Sequence, residues 1–331
     1  MFEQAKRVNF IIHIGWHKTG STSLQVFLLK NRKALIRQYQ TYYPREGLLT
    51  CAHHTVAWSF QGRETSPWGP VALLEGGGDA YVRAAMESAN SKGCTTIVLS
   101  SEEFCTFDLD AIRSLSKSMR AMADSVQIVA YIRRQDLLVE SAYNMQVKWW
   151  GARLRADFDE YVKDKRAYPN YFRVLKEWAG VFGVNSLIVR RYERDALESR
   201  DIRIDFCKAV GLNHEGLDHM EDSVNESLGP RALEFLRILN NLDVSRDEHE
   251  RIAARLLSYD RENRSPKCVL FGPDQRRAYM APFEMGNRKL TQFGVDPEPL
   301  MVGDGPMGTR NLRRLTEAEF AEMLAYVSRS M

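Results

Sequence analysis

Disulfide chemistry is the first thing this sequence does without. Its 331 residues hold five cysteines, Cys51, Cys94, Cys105, Cys207 and Cys268, scattered and odd in number. No C-x-x-C pair and no Cys/His ligand spacing occurs, so neither a disulfide framework nor a zinc site is indicated. No apolar run reaches the roughly 18 residues needed to span a bilayer. The first core strand begins by about residue 8, which leaves no room for a signal peptide, and a cytoplasmic protein is expected. An excess of one charge is missing too. Against 46 Lys and Arg stand 43 Asp and Glu, a balance of +3 that argues against nucleic acid as a partner. Repeats and low-complexity tails are also absent. What is present is 44% hydrophobic content. In a chain of this length that is enough for one large core, so a single domain over 1–331 is expected rather than two independent ones.

Strand-like and helix-like stretches alternate through the first two thirds. Strands are expected at Asn9–Ile14, Thr41–Tyr43, Thr96–Leu99, Val126–Ile132 and Ser186–Arg190. Helices are expected at Leu24–Arg37, from Asp110, at Leu137–Trp150 and at Pro169–Phe182. In the last of these Tyr171, Phe172, Leu175, Trp178 and Phe182 share an apolar face that reads as core. Gly76–Asp79 and Gly62–Gly69 read as loops. From Pro230 the pattern turns helical, with segments near Arg231–Asn241, Glu248–Tyr259, Pro273–Met285 and Thr316–Arg329. Alternation of this kind implies parallel βαβ units. The fold class is therefore α/β: three layers, a central parallel sheet flanked by helices, and a helical C-terminal part.

The densest information lies at the start, in Val8-Asn-Phe-Ile-Ile-His-Ile-Gly-Trp-His-Lys-Thr-Gly-Ser-Thr-Ser23. A buried strand runs into Gly15, a loop with Lys18 and Gly20, and then a helix. The first-turn N–H groups of a helix have no intrahelical partner, and its dipole favours an anion there. Lys18 with the backbone of Thr19 to Thr22 is thus expected to grip a phosphate-like group. Gly15 and Gly20 have the spacing of a Walker loop, but Ser21-Thr22 stands where Lys-Ser/Thr would follow the second glycine.

A second piece follows about 110 residues later. The β-rich run Ser125–Ile132 ends in Arg133-Arg134-Gln135-Asp136, and Ser141 falls eight residues after Arg133 in the next helical stretch. An Arg fork and a Ser hydroxyl so spaced suit one phosphate. Between the two pieces, the strand Thr96–Leu99 stops at Ser100-Ser101-Glu102-Glu103. Chemistry in open parallel sheets collects beyond the carboxyl ends of the strands. Two basic groups, Arg133, Arg134, Lys148, Arg153 and Arg155, then Arg190, Arg191 and Arg194, are open to two readings: the lining of an anionic site, or an ordinary solvated face.

The order Lys18-Thr-Gly-Ser-Thr22 resembles the 5′-phosphosulfate loop of sulfotransferases, enzymes that use 3′-phosphoadenosine-5′-phosphosulfate (PAPS). Arg133 and Ser141 match the family's 3′-phosphate pair, and Tyr131-Ile-Arg-Arg-Gln-Asp136 with Glu140-Ser-Ala-Tyr-Asn144 looks like bacterial members in particular. Tyr42-Tyr43-Pro44, Cys51–Ala57 with its histidines, Val224–Leu228 and Phe283–Leu290 extend the likeness from about residue 8 to about 295. Two departures stand out. Ser23 replaces a common Trp, and no Arg-Lys-Gly-x-x-Gly-Asp-Trp-Lys closing segment occurs; Gly303–Arg314 does not match it.

The resemblance implies a P-loop-like fold, with a donor-binding α/β core over 8–195 and a helical extension over 196–331 covering the acceptor side. It implies transfer of a sulfuryl group from PAPS to an acceptor hydroxyl, of a carbohydrate or glycolipid, without a metal. Lys18, Thr19, Gly20, Ser21, Thr22 and Ser23 would hold the 5′ end, and Arg133 and Ser141 the 3′-phosphate. Glu102 is the favoured base, with Glu103, His53 and His17 as alternatives. Two other readings stay open: a P-loop kinase using ATP, and a nucleotide-binding protein without turnover.

Overall fold

The computed structural model describes residues 7–66, 69–71, 73–120, 122–164, 170–219, 226–302 and 309–329. The chain opens with β1 (Val8–His13), α1 (Ser21–Lys30), α2 (Arg32–Tyr39) and β2 (Thr41–Tyr42). Next come α3 (His54–Phe60), the short strands β3 (Thr65–Ser66) and β4 (Gly69–Pro70), α4 (Gly77–Ser91) and β5 (Thr96–Ser100). Then follow α5 (Leu109–Arg120), β6 (Ala123–Ile132), α6 (Gln135–Lys148), α7 (Phe158–Asp164), α8 (Tyr171–Phe182), β7 (Leu187–Arg191) and α9 (Ile202–Ala209). The last part is helical: α10 (Pro230–Leu239), α11 (Arg246–Glu262), α12 (Pro273–Arg288) and α13 (Glu317–Ser328). Two compact units emerge. One comprises Met1–Arg133, Tyr171–Asp222 and Arg288–Pro297; the other comprises Arg134–Asn170, Ser223–Asn287 and Glu298–Met331.

The first unit is a layered α/β fold around a five-stranded sheet of order β2-β5-β1-β6-β7, parallel throughout. Strand β1 lies at its centre, and Phe10, Ile11 and Ile12 are all buried, as a strand covered on both faces demands. On one face Ile11, Val98, Val129 and Tyr131 pack with Leu24, Phe27 and Leu28 of α1, Leu35 of α2 and Phe206 of α9. Alternate residues of the same strands, among them Ile97, Leu99, Ile128 and Ala130, are buried on the other face. In α8, Tyr171, Leu175 and Trp178 are core residues, while Pro169 lies outside the described residues.

Three local expectations change. The expected helix Leu24–Arg37 is two helices, parted at Asn31, whose side-chain amide bonds the Phe27 carbonyl and so offers the backbone a competing partner. Gly77–Asp79 is the first turn of α4 rather than a loop. Gly76 supplies the left-handed cap that starts it, at φ 89°. The stretch 62–69 contains β3 and the first residue of its antiparallel partner β4.

The second unit is helical. Val139, Tyr143, Phe158, Leu233, Leu236, Leu256, Phe271 and Met280 belong to its core. Buried Arg276 ion-pairs with Asp136 and, at 2.9 Å, with Glu140, whose carboxylate also accepts the backbone N–H groups of Leu270 and Phe271. The basic residues of this region are spent on structure. Arg134 pairs with Asp136, Lys148 donates to the Glu226 carbonyl, Arg155 donates to that of Asn240, and Arg153 to that of Leu242. Cations suit the carbonyl end of a helix such as α10, whose last C=O groups lack partners.

Candidate functional site

The sheet topology singles out the end of β1. Its connection leads to the edge strand β2, while those leaving β5 and β6 run towards the opposite edge. Ligands of open parallel sheets bind where the direction reverses, beyond the carboxyl ends. There Ile14 still donates to Val129, after which the chain leaves the sheet.

Two residues in the following loop take left-handed backbone, Lys18 at φ 67° and Gly20 at φ 78°. Glycine is required at 20 on two counts, since a Cβ there would meet Tyr192 Cε2 at 2.5 Å and Ile202 Cδ1 at 2.9 Å. Gly15 is needed for space alone: its Cβ would fall 2.6 Å from His13 Nε2 and 3.0 Å from Ser21 Oγ. The Trp16 carbonyl ties the loop together by accepting from the Thr19 hydroxyl at 2.6 Å and the Ser21 hydroxyl at 3.2 Å. Thr19 and Ser21 are buried, Lys18, Gly20 and Ser23 half-buried, and His17 and Thr22 exposed. α1 starts at Ser21 with no side-chain cap at Gly20, so its first-turn donors adjoin the loop.

Arg133 ends the neighbouring strand β6 and reaches this loop. Its guanidinium donates to the Lys18 carbonyl at 3.4 Å. Tyr171 fixes the same residue from behind, donating its hydroxyl to the Arg133 carbonyl at 2.6 Å while the Trp16 ring packs against it edge-on at 4.7 Å. Ser141 is half-buried on α6, in the second unit. Arg190 and Arg191 are taken up by Asp205 and Glu193.

On the other side of β1, β5 ends against His13, whose carbonyl accepts the Ser101 N–H at 3.1 Å. The Ser101 side chain caps a 3-10 turn, Glu102–Thr106, by accepting the Glu103 N–H. The turn sends its two acids to different partners. Glu102, 6% exposed, accepts from the Gln25 amide of α1 at 2.8 Å. Glu103 is paired with Arg63 at 3.0 Å, and Arg63 lies over the Trp58 ring. One carboxylate is thus neutralised by an arginine and the other is held by a neutral donor.

The adjacent histidines differ as sharply. His53 is wholly buried; its Nδ1 accepts the Ser100 N–H at 3.1 Å and its Nε2 donates to the Pro44 carbonyl at 3.1 Å. Burial brings its pKa down to about 4. Both ring nitrogens are therefore occupied by backbone. His54, one residue on and the first of α3, is half-buried, bonded to Ser101 Oγ at 2.7 Å and stacked on Trp58. Burial lowers its pKa, with Glu102 and Glu103 pulling the other way and His17 adding to the fall. His54 and Gln25 are residues that sequence reasoning passed over: one follows a more conspicuous histidine, and the other is an ordinary helix residue.

Among the described residues no helix is long and apolar enough to cross a membrane, and no group of three His, Cys, Asp or Glu is placed to hold a metal ion. Val224 and Asn225, and residues 303–308, lie outside the described residues. No family model matches the chain. A curated protein of Archaeoglobus fulgidus, named only as an uncharacterized protein, is 28% identical over 196 residues, 59% of this chain and 52% of that one. The chain thus spans about half the length of the curated relative it matches. A sulfotransferase from Alicyclobacillus acidocaldarius is similar at a TM-score of 0.45 and 16% identity, over 89% of this chain and 98% of that one. The sulfotransferase domain of the Synechococcus PCC 7002 olefin synthase is similar at 0.36 and 12%, over 78% and 97%.

Proposed function

We propose that this chain moves a sulfuryl group from PAPS to a hydroxyl of a carbohydrate or glycolipid acceptor. The observation that supports the reading most is the reach of Arg133 to the loop of Lys18. Two pieces 115 residues apart, each resembling half of a PAPS site, meet through a hydrogen bond.

Sulfuryl transfer resembles phosphoryl transfer, so in-line positioning and charge stabilisation carry the rate. Lys18 neutralises charge growing on the oxygen between sulfur and the departing 5′-phosphate. The N–H groups of Gly20, Ser21 and Thr22, with the Ser21 and Thr22 hydroxyls, hold the non-bridging oxygens. Thr19 keeps its hydroxyl on Trp16 and shapes the loop, and Ser23 adds to the grip on the 5′ end. Arg133 takes the 3′-phosphate and so separates PAPS from ATP. As the acceptor oxygen bonds to sulfur and the bond to the 5′-phosphate breaks, Glu102 takes the acceptor's proton, a role worth roughly 10²–10⁴-fold in rate. Gln25 orients that carboxylate. Glu103 is held by Arg63, His53 serves as a buried strut between Pro44 and Ser100, and His17 stands in solvent.

The test is to incubate the protein with sulfur-35 PAPS and a panel of mono- and oligosaccharides and glycolipids, beside a parallel set with γ-phosphorus-32 ATP and Mg²⁺. Label passing from PAPS, and lost in Lys18→Ala, is the expected result. Label passing from ATP instead makes the chain a kinase. No transfer from either donor, with bisphosphate binding intact, makes it a binding protein.

A further inference from the structure

Beneath the loop lies a polar group with no partner. His13 is wholly buried at the end of β1, its Nδ1 bonded to Ser100 Oγ at 2.8 Å, while Nε2 makes no hydrogen bond. Leaving a buried polar atom unpaired is costly, so such atoms call for an explanation. Nε2 faces the loop. It lies 2.6 Å from the point where a Cβ on residue 15 would fall, and Ser21 Oγ lies 3.0 Å from the same point. The missing side chain of Gly15 is thus the gap across which His13 and Ser21 face each other.

Ser21 is held loosely where it is. Its bond to the Trp16 carbonyl measures 3.2 Å, against 2.6 Å for the Thr19 hydroxyl on the same oxygen. If Ser21 turns away, Trp16 keeps Thr19 and remains satisfied. The histidine has no comparable freedom. Tyr131 and Phe206 stand edge-on to its ring at 5.9 and 6.1 Å, and Ser100 fixes its other nitrogen. Burial brings its pKa down to about 4 despite the nearby Glu102, so the ring carries a single proton at neutral pH.

Building on the donor reading above, we infer that His13 is a positioning residue for Ser21. With an anion in the loop, the Ser21 hydroxyl turns from Trp16 to donate to an anion oxygen and accepts from the Nε2–H of His13, whose Nδ1 accepts in turn from the Ser100 hydroxyl. No proton changes owner. The hydroxyl rotates, and a chain Ser100–His13–Ser21–anion replaces one weak bond and one orphaned donor. The end of β5 is thereby coupled to the grip of the loop that follows β1.

The test is calorimetric titration with 3′-phosphoadenosine-5′-phosphate of the wild type, His13→Gln, His13→Asn, Ser21→Ala and the His13→Asn/Ser21→Ala pair. A Gln amide reaches the Nε2 position, whereas an Asn amide reaches only Nδ1 and keeps the Ser100 contact seen here. The expected result is affinity within about threefold of wild type for Gln, a loss of about tenfold for Asn, and no further loss on adding Asn to Ser21→Ala. Equal losses in Gln and Asn, or additive losses in the pair, overturn the coupling. A wild type that does not bind the bisphosphate overturns the donor reading itself, a separate failure. Should His13→Asn fail to fold, nitrogen-15 histidine spectra of the wild type decide. The His13 Nε2–H signal shifts on saturation with the bisphosphate, or the inference falls.

Discussion

Gln25 of α1 donates its amide to the Glu102 carboxylate at 2.8 Å, and both side chains are buried. The contact joins the helix that begins at the loop to the turn that ends β5, so one hydrogen bond sets the proposed base against the proposed donor grip. Gln25→Leu leaves a buried carboxylate short of a donor, at about 1–3 kcal/mol. In a PAPS-dependent assay kcat is expected to fall about tenfold while KM for PAPS stays within about twofold. An unchanged kcat would take Gln25 out of its orienting role.

Gly20 combines a left-handed backbone with no room for a side chain. Gly20→Ala is expected to lower stability by about 1–3 kcal/mol in urea unfolding and to abolish bisphosphate binding. Adding Tyr192→Ala removes the nearest clash and restores part of the stability, leaving the backbone cost. Full stability in the single variant would contradict the loop geometry.

His13 and His53 are both buried neutral, with pKa values brought from 6.5 down to about 4. Between pH 6.5 and about 4 the unfolded chain binds a proton at each that the folded chain does not. Stability is therefore complete above about pH 6.5 and falls on acidification by about 1.4 kcal/mol per unit for each histidine, levelling off below about pH 4. Unfolding measured at pH 7 and 5 reads the slope. In His53→Gln it is expected to drop by about one proton, and an unchanged slope would mean that His53 is not held neutral.

Asp205 of α9 is wholly buried and gathers Arg190 of β7, at 2.6 Å, with the Tyr131 hydroxyl and the Glu198 N–H. Asp205→Leu strands these donors and should cost about 3 kcal/mol, the low end for a broken buried pair because the Arg190 side chain is 35% exposed. The pair Asp205→Leu/Arg190→Met should recover much of that loss. A melting temperature unaffected by the single change would remove the cluster from the account of how β7 and α9 are held.

The sheet was legible because four of its strands are short runs rich in Val, Ile and Leu and β2 is the Thr-Tyr pair before Tyr43-Pro44, and all five appear within a few residues of where the pattern puts them. The strand–loop–helix at Gly15–Ser21 was legible for a similar reason, since the backbone needs glycine there and the neighbours carry the charge. What escaped depends on distant partners. The arginines at 153 and 155 are open to two readings in the sequence, an anionic lining or a solvated face, until the Leu242 and Asn240 carbonyls more than 80 residues away are seen to claim them. Glycines 76–78 read as a loop although Gly76 starts a helix. Of the neighbours His53 and His54, the sequence drew attention to the one that backbone groups occupy. A single step along the chain sends one ring to Pro44 and Ser100 and the other to Ser101 and the two glutamates.

The central claim is that the β1 loop and Arg133 together hold a nucleotide with a 3′-phosphate. Calorimetric titration with 3′-phosphoadenosine-5′-phosphate, beside ADP and ATP with Mg²⁺, tests it most directly. The expected result is tight binding of the bisphosphate, weaker binding of ADP, and loss of the preference in Arg133→Ala. Preference for ATP with Mg²⁺, indifferent to Arg133→Ala, would contradict it.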